Sequence, residues 1–155
     1  MKGPLQTLVH YLELPPVWLA VFAALAWGQA QIWPMQVLGL AGDVIGTALV
    51  AAGLGVSGFA ALQFLLSRTS LIPRETPGKL MTGGLYRFSR NPIYLADAAI
   101  LVGLILIWDA LPSLILVPVF VKLIEWRFIR VEEAFIAERF GAEYEAYRAR
   151  VRRWI

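Results

Sequence analysis

The chain contains no cysteine and only one histidine, His10. Disulfide frameworks, thiolate nucleophiles and cysteine-based metal sites are therefore excluded. A lone histidine has no second ligand of the usual kind beside it, so we predict no metal site. The sequence also lacks a Gly-rich phosphate loop after a strand and a Ser-His-Asp set, which argues against nucleotide hydrolysis and serine-based acyl transfer.

Charged residues are scarce and unevenly distributed. They make up only 16% of the 155 residues, whereas hydrophobic residues make up 59%. Soluble domains usually carry roughly a quarter charged residues, so we predict a single all-α integral membrane domain spanning residues 1–155. The formal charge of +3 does not indicate a nucleic-acid partner, because no Lys or Arg lies between Gly3 and Ser67.

Four apolar stretches predict about four transmembrane helices, at residues 17–33, 37–66, 93–107 and 111–124. The second stretch is longer than one crossing at ~1.5 Å per residue, so we expect it to be tilted or bent. The last two are only ~22 Å long as helix, so we expect each helix to extend beyond its apolar run.

The residues before the first span, 1–14, predict a short surface helix or an unstructured lead that ends at Pro15-Pro16. A signal peptide is a competing interpretation of the first span. Glu13 and the two prolines argue against it, because they make a poor positively charged leader.

Basic residues are confined to the N-terminus, the polar region 67–92 and the C-terminal part of the chain. The two connections near Pro34 and Asp109 contain none. The positive-inside rule therefore places both termini and the 67–92 loop in the cytosol. We expect an integral protein of a bacterial inner membrane with this orientation.

Small residues line part of the second stretch, where Gly42 and Gly46 form a GxxxG pair. Such a pair lets a neighbouring helix approach closely, because no side chain intervenes. The neighbour can be another helix of the same chain or the same helix of a second copy, which would make a homodimer.

The C-terminal region has an apolar stripe at helical spacing, formed by Phe140, Tyr144, Tyr147, Val151 and Trp154. The stripe predicts an amphipathic helix that lies on the bilayer surface, covers a site as a lid, or does both. Asp97, one turn after Tyr94, is either a polar contact within a site or an interface residue. An intramembrane carboxylate can also mark ion transport.

Several motifs follow one another in the second half of the chain. They are Gly84-Leu85-Tyr86, Arg90-Asn91-Pro92-Ile93-Tyr94, Glu132-Glu133, and Phe140-Gly141 followed by Tyr144 and Tyr147. Over residues 68–155 their order resembles the C-terminal half of the isoprenylcysteine carboxyl methyltransferases and their bacterial relatives, and it is also similar to phospholipid methyltransferases. These are membrane enzymes that use S-adenosyl-L-methionine. The resemblance implies a cofactor-binding part at 67–155 and leaves the first two spans unaddressed. The apolar stretches themselves predict an N-terminal two-helix part at 17–66.

The resemblance also implies particular site residues. Those for the cofactor are Leu80, Met81, Tyr86, Asn91, Pro92, Ile93, Tyr94 and Glu132. Arg127 or Arg130 would face the substrate as a catalytic residue. The sequence departs from the family pattern at Asn91, which replaces the usual His, and at Ala96, which replaces a Gly. Asparagine cannot titrate near neutrality, so a histidine base is not available at this position.

The residue types suit this chemistry independently of the resemblance. Glu132 offers a carboxylate for a cation or ribose hydroxyls, and Tyr86 and Tyr94 offer aromatic faces. An arginine would hold an acidic acceptor group. We therefore predict methyl transfer from S-adenosyl-L-methionine, leaving S-adenosyl-L-homocysteine. The acceptor would be a lipophilic small molecule or lipidated substrate bearing a carboxylate, thiol or amine.

Two alternatives stay open. The two arginines can snorkel to the phosphates of membrane lipids, while the glutamates form a solvated helix face. At the level of the whole protein, the rival to an enzyme is a non-catalytic membrane protein or small transporter that shares the fold. That rival predicts no cofactor binding.

Overall fold

The computed structural model describes residues 14–67 and 78–155, and within these ranges it is helical with no strand. Its α-helices are α1 Pro15–Ile32, α2 Gly39–Leu66, α3 Pro92–Ile107, α4 Leu116–Ile124, α5 Arg130–Phe140 and α6 Ala142–Arg150. The 3₁₀ turns Gly84–Arg87 and Leu111–Ile115 precede α3 and α4, and the π turn Glu125–Ile129 joins α4 to α5. The predicted all-α class is confirmed. The predicted lead and part of the polar loop lie outside the described residues.

Helix α2 has the length and apolar composition needed to cross a membrane, and in the described part of the chain it is alone in meeting both criteria. Its 28 residues correspond to ~42 Å, more than a ~30 Å hydrocarbon core. Its large apolar side chains are mostly exposed, with Leu40 at 78% and Leu65 at 69%. The core helix of a soluble protein would be buried, so this apolar surface fits a lipid environment.

The chain forms two compact units that alternate along the sequence. Unit 1 contains the described residues of 1–50 together with 98–123, and unit 2 contains those of 51–97 together with 124–155. Helices α2 and α3 each contribute one end to each unit. These units are defined by packing. The predicted division at residue 67 instead separates a two-helix part from a cofactor-binding part, and it stays a prediction.

In unit 1, α2 and α3 meet at glycines. A Cβ atom on Gly46 would lie 2.5 Å from the carbonyl oxygen of Gly103, and one on Gly42 would lie 2.8 Å from the carbonyl oxygen of Leu106. Real Cβ atoms do not come so close, so only glycine allows this approach. The GxxxG pair therefore packs within the chain. A homodimer through the same face would have to displace α3.

Asp109, which follows α3, caps the start of α2. Its backbone is in the left-handed region at φ 50°, which brings its carboxylate to the start of α2. The Val37 and Leu38 amides donate to Oδ2 of Asp109 at 2.5 and 3.0 Å. The carboxylate therefore satisfies amides that have no partner inside the helix.

The C-terminal region is bent rather than continuous. The Arg130 amide donates to the Glu125 carbonyl, five residues earlier, which is the pattern of a π turn. Gly141 then adopts φ +47° and separates α5 from α6. The predicted apolar stripe is consequently shared between the end of α5, α6 and the segment after it.

Candidate functional site

Three tyrosines form the centre of a buried cluster in unit 2. Tyr86, Tyr144 and Tyr147 are each less than a tenth exposed and pack with Ala60 and Leu80. Partly buried hydrophobic residues surround the cluster, among them Met81, Ile93, Phe140 and Val151. Tyr144 and Tyr147 of the predicted apolar stripe are thus buried inside the unit, and Phe140, Val151 and Trp154 are partly buried.

The sequence left open whether the apolar stripe lies on the bilayer surface, covers a site, or does both, and the packing of Tyr144 and Tyr147 bears on these alternatives. Tyr144 and Tyr147 are covered by the 80–93 segment, so they are not available to contact lipid. The opposite side of α6 is exposed and polar. Its described arrangement fits the alternative in which the C-terminal helix covers the residues of the 80–93 segment.

The turn that carries Tyr86 is held by Gln63 from the end of α2. The Leu85 amide donates to Gln63 Oε1 at 3.2 Å, and Gln63 Nε2 donates to the Gly83 carbonyl at 3.4 Å. Gly84 adopts φ +57°, and a Cβ there would collide with the Gln63 amide. Glycine is favoured at this position by its left-handed conformation, and a larger residue would also have to displace the Gln63 amide from its hydrogen bonds.

Tyr86 is also held from the C-terminal side. The Tyr147 hydroxyl donates to the Tyr86 carbonyl at 2.7 Å. The Phe64 ring packs edge-to-face on Tyr86, with centroids 5.6 Å apart. The position of this predicted cofactor residue is therefore set by two separate segments of unit 2, the end of α2 and α6.

The structure brings together two predicted cofactor residues, Tyr94 and Glu132, which are 38 positions apart in the sequence. The Tyr94 hydroxyl donates to Glu132 Oε1 at 2.6 Å. The Tyr94 ring is buried and lies tilted against Phe128, with centroids 6.4 Å apart. A short bond to a carboxylate is among the stronger neutral-to-charged hydrogen bonds, so the pair is well ordered.

The neighbouring Glu133 joins a different set of contacts. Arg153 forms a fork on its two carboxylate oxygens at 3.1 and 2.6 Å, and Arg90 Nη2 lies 3.1 Å from Oε1. Glu125 Oε1 pairs with Arg153 Nη1 at 2.9 Å and with Arg130 Nη2 at 3.2 Å. We refer to these three arginines and two glutamates as the ion network. Glu132 and Glu133 therefore have separate roles although they are adjacent.

The C-terminal segment also binds the loop before α3 through its backbone. The Arg90 amide donates to the Arg152 carbonyl at 3.0 Å, and Asn91 Nδ2 donates to the Arg153 carbonyl at 3.1 Å. Ser89 Oγ donates to the same Arg153 carbonyl at 3.3 Å and accepts from the Asn91 amide at 3.1 Å. The side-chain amide of Asn91 is thus a structural donor.

The remaining predicted residues lie around these contacts. Pro92 is buried as the first residue of α3, and Arg127 is partly buried in the π turn. Arg130 is exposed apart from its ion pair with Glu125. A shallow open depression of about 360 Å³ lies on α5 beside it, lined by Arg130, Val131, Ala134, Phe135 and Glu138.

Burial determines the protonation of the tyrosine cluster. It raises the pKa of Tyr86 and of Tyr147, with smaller contributions from neighbouring phenols and, for Tyr86, from Glu132. Burial also raises the pKa of Tyr144, with Glu133 acting in the same direction. The hydrogen bond to Glu133 raises the pKa of Arg153. At neutral pH the three phenols are therefore neutral and Arg153 is a cation; the Tyr147 hydroxyl donates to the Tyr86 carbonyl, and the Tyr144 hydroxyl accepts from Arg90 at 3.2 Å.

Asp97 is buried, with 8% of its surface exposed, one turn after Tyr94 on α3. The structure thus places a carboxylate near Tyr94, as the sequence suggested. In the described part of the chain, no three His, Asp or Glu side chains are grouped so that they could hold a metal ion.

Sequence reasoning missed several residues that hold this region together. They are Gln63, Ser89, Arg90, Glu125 and Arg153. Their partners lie between 2 and 64 positions away. Arg90 belongs to the Arg90 to Tyr94 motif but was given no role there, and the other four residues belong to none of the motifs. Glu133 was visible as a member of the Glu132-Glu133 pair, but the pair by itself does not indicate which glutamate contacts Tyr94.

Comparison with known proteins gave one match. The sequence model of a family described as phospholipid methyltransferase matches residues 42–143, well over half of the chain. The matched range contains Tyr86, the Asn91 to Tyr94 run and Glu132. Searches of curated proteins and of solved structures found no significant match.

Proposed function

The chain belongs to the phospholipid methyltransferase family, and on this premise we propose that it transfers a methyl group from S-adenosyl-L-methionine to a lipophilic acceptor at the cytosolic membrane face. Membership itself indicates a membrane-associated methyltransferase acting on lipid-like substrates, and it confirms the resemblance seen in the motifs. The cofactor, the acceptor and the orientation are the parts we propose. The observation that carries the proposal is the 2.6 Å bond between Tyr94 and Glu132.

The donor set around this bond suits the cofactor. S-adenosyl-L-methionine carries a sulfonium cation, ribose hydroxyls and an adenine ring. A Glu132 carboxylate fixed by Tyr94 can accept from hydroxyls or attract a cation, and the Tyr86, Tyr94 and Phe128 rings supply aromatic surface. When bound, the cofactor supplies an electrophilic methyl group.

We propose that Leu80, Met81, Asn91, Pro92 and Ile93 complete the binding region. Their described positions favour this, because Leu80 belongs to the tyrosine cluster and Met81 and Ile93 pack against it. Asn91 would act mainly through the backbone it orders, since its side-chain amide donates to the Arg153 carbonyl. The proposal therefore needs no titrating group at position 91.

The acceptor would lie near the arginines that follow α4. Arg130 is exposed beside an apolar depression on α5 that includes Phe135, so it can meet an anionic headgroup while hydrocarbon covers the apolar wall. Arg127 is one turn earlier, in the π turn. Alignment in a water-poor site can promote methyl transfer to a nucleophilic acceptor without a dedicated base.

We further propose four membrane spans at α1, α2, α3 and residues 111–124, with cytosolic termini in a bacterial inner membrane. Support comes from the basic residues, which are absent from the connections near Pro34 and Asp109. The functional division is proposed at residue 67, with the two-helix part at 17–66. We do not extend the proposal to a homodimer, because the face at Gly42 and Gly46 packs within the chain.

Calorimetric titration of the purified protein with S-adenosyl-L-methionine and S-adenosyl-L-homocysteine tests the cofactor claim. We expect Glu132→Gln and Tyr94→Phe each to weaken binding by about tenfold or more. The first removes the negative charge and the second removes the donor that fixes the carboxylate, and hydrogen bonds to charged groups are worth about 1.5–3 kcal/mol. The control is Glu143→Gln, which alters an exposed glutamate of α6 and leaves binding unchanged. A folded wild-type protein that binds neither compound contradicts the proposal and favours the transporter alternative.

The acceptor claim is tested by incubating the enzyme with isotopically labelled cofactor and extracted membrane lipids, followed by mass spectrometry. Arg130→Ala is expected to lower turnover of an anionic acceptor while cofactor affinity stays unchanged. The same comparison for Arg127→Ala decides which arginine faces the substrate. Equal and negligible effects of both substitutions would favour the interpretation in which these arginines contact lipid phosphates.

A further inference from the structure

Arg153 contacts both segments that carry proposed cofactor residues, and it does so through two different groups. Its guanidinium forks onto Glu133 of α5, next to Glu132, and its carbonyl accepts the side chain of Asn91, just before α3 and Tyr94. We propose that Arg153 is a positioning residue that sets the spacing between the 89–91 loop and α5. It thereby holds Glu132 within hydrogen-bonding distance of Tyr94. The functional consequence rests on the proposed function.

The guanidinium has the geometry that this role requires. Its Nε and Nη2 bind the two oxygens of Glu133 at 3.1 and 2.6 Å, while Nη1 binds Glu125 Oε1 at 2.9 Å. One planar, rigid group thus joins positions 125 and 133, which stand on the π turn and on α5. A lysine could neutralise either carboxylate but could not form the fork.

The carbonyl side of the connection is independent of the side chain. The carbonyls of Arg152 and Arg153 accept hydrogen bonds from the Arg90 amide, from Ser89 Oγ and from Asn91 Nδ2. A substitution at position 153 keeps these acceptors. It therefore removes the contact with α5 while leaving the segment able to pair with the loop.

Loss of the fork is expected to leave the charges compensated. Arg90 lies 3.1 Å from Glu133 and is itself mostly buried, and Arg130 pairs with Glu125. Each glutamate would thus keep a cation after Arg153 is replaced, so the chain should still fold. The direct contact from Arg90 of the loop to Glu133 of α5 would stay, but the fork that fixes the distance and orientation between the loop and α5 would be lost.

The experiment compares Arg153→Ala and Arg153→Lys with Arg152→Ala, a matched control whose side chain is exposed. Hydrogen–deuterium exchange of the full-length protein without ligand reports on residues 89–94 and 130–133. Steady-state kinetics then give KM for S-adenosyl-L-methionine and kcat. For Arg153→Ala we expect faster exchange in both segments and a KM about tenfold or more higher, since small displacements of binding groups have effects of this size. Saturating cofactor should restore kcat.

Arg153→Lys should show an intermediate effect and Arg152→Ala none. Wild-type exchange and KM in both Arg153 variants would overturn the proposal, and so would a loss of kcat at unchanged KM. If Arg153→Ala fails to fold, Arg153→Lys decides: wild-type behaviour overturns the proposal, and faster exchange with a raised KM supports it. Because the exchange experiment contains no ligand, it separates failure of this proposal from failure of cofactor binding.

Discussion

Helices in unit 1 approach one another through glycine and apolar surface, whereas the segments of unit 2 are joined by phenols and charges. In unit 1, Gly46 and Gly103 bring two backbones into contact, and Phe22 packs edge-to-face on Phe120 at 5.4 Å. In unit 2, Tyr147 donates to a carbonyl and Arg153 forks onto Glu133. The comparison indicates that dispersion and shape hold the first unit and directional polar contacts hold the second.

The difference is the one expected if unit 1 lies in lipid and unit 2 holds the proposed binding site. Close packing of small residues is the effective way to hold helices together where lipid removes the hydrophobic driving force. Directional bonds fix the positions of individual atoms, which a binding site needs. Polar contacts do occur in unit 1, but they lie at helix ends, as at Asp109 and at the 2.9 Å bond from Ser113 to Gln29.

The largest effect is expected from filling the glycine contact of unit 1. Gly46→Val would place side-chain atoms against the Gly103 carbonyl, and overpacking of this kind should cost about 3 kcal/mol or more, because backbone has to move. Thermal unfolding in detergent measures the loss. The control is Gly55→Ala on the same helix, where a Cβ meets nothing within 4 Å. Equal stability of the two variants would contradict the close approach of α2 and α3.

The second largest effect is expected from removing one carboxylate of the ion network in unit 2. Glu133→Gln leaves Arg90 and Arg153 without their shared carboxylate, and we expect a loss of about 2–3 kcal/mol in unfolding free energy. Glu145→Gln removes an exposed pair with Arg148 at 3.5 Å and should change the stability by less than about 0.5 kcal/mol. Chemical denaturation measures both. If the two losses are equal, the ion network is no more than surface charge.

A smaller effect is expected at the helix end of unit 1. Asp109→Gly keeps the left-handed backbone but removes the acceptor of the Val37 and Leu38 amides, which should cost about 1 kcal/mol. Asp109→Asn tolerates the same backbone and keeps an oxygen, so most of the stability should return. A stability of the Gly variant equal to that of wild type would show that the cap contributes nothing.

The smallest effect on stability at neutral pH is expected from the buried phenols of unit 2. Burial raises the pKa of Tyr86, Tyr144 and Tyr147, so their stabilisation is complete below pH ~10 and is lost as the pH rises through the higher values of the folded state. Absorbance of the phenolate, followed from pH 8 to 13 in a Tyr11→Phe background, should rise later than in the unfolded protein. Coincident curves would contradict burial of the cluster.

Much of the fold could be predicted because local pattern determines it. The predicted spans at 17–33, 37–66 and 93–107 differ from α1, α2 and α3 by at most two residues at either end. Long apolar periodic segments bounded by proline and glycine leave few alternatives to a helix. The π turn and the break at Gly141 were not predicted, because both depend on how the C-terminal residues pack.

Several residues of the candidate site could be predicted from the sequence, but the contacts between them could not. Motif resemblance identified Tyr94 and Glu132, which the structure brings to 2.6 Å. It did not identify Arg153, because pairing across 20 residues with Glu133 and across 62 with Asn91 leaves no periodic signal. Whether these residues bind the cofactor stays a prediction.

The sequence by itself determined that the chain is helical, that α2 is apolar enough for lipid, and that motifs of a membrane methyltransferase occupy its second half. Composition and short-range periodicity are sufficient for the first two conclusions, and the third rests on the resemblance of the motifs to a known family. Only the tertiary structure decided that the GxxxG face packs on α3, that Tyr144 and Tyr147 of the apolar stripe are buried, and that Glu132 contacts Tyr94 while Glu133 contacts Arg153. These outcomes depend on which distant surfaces meet, and adjacent residues of the same type differ only in the direction their side chains take from the helix.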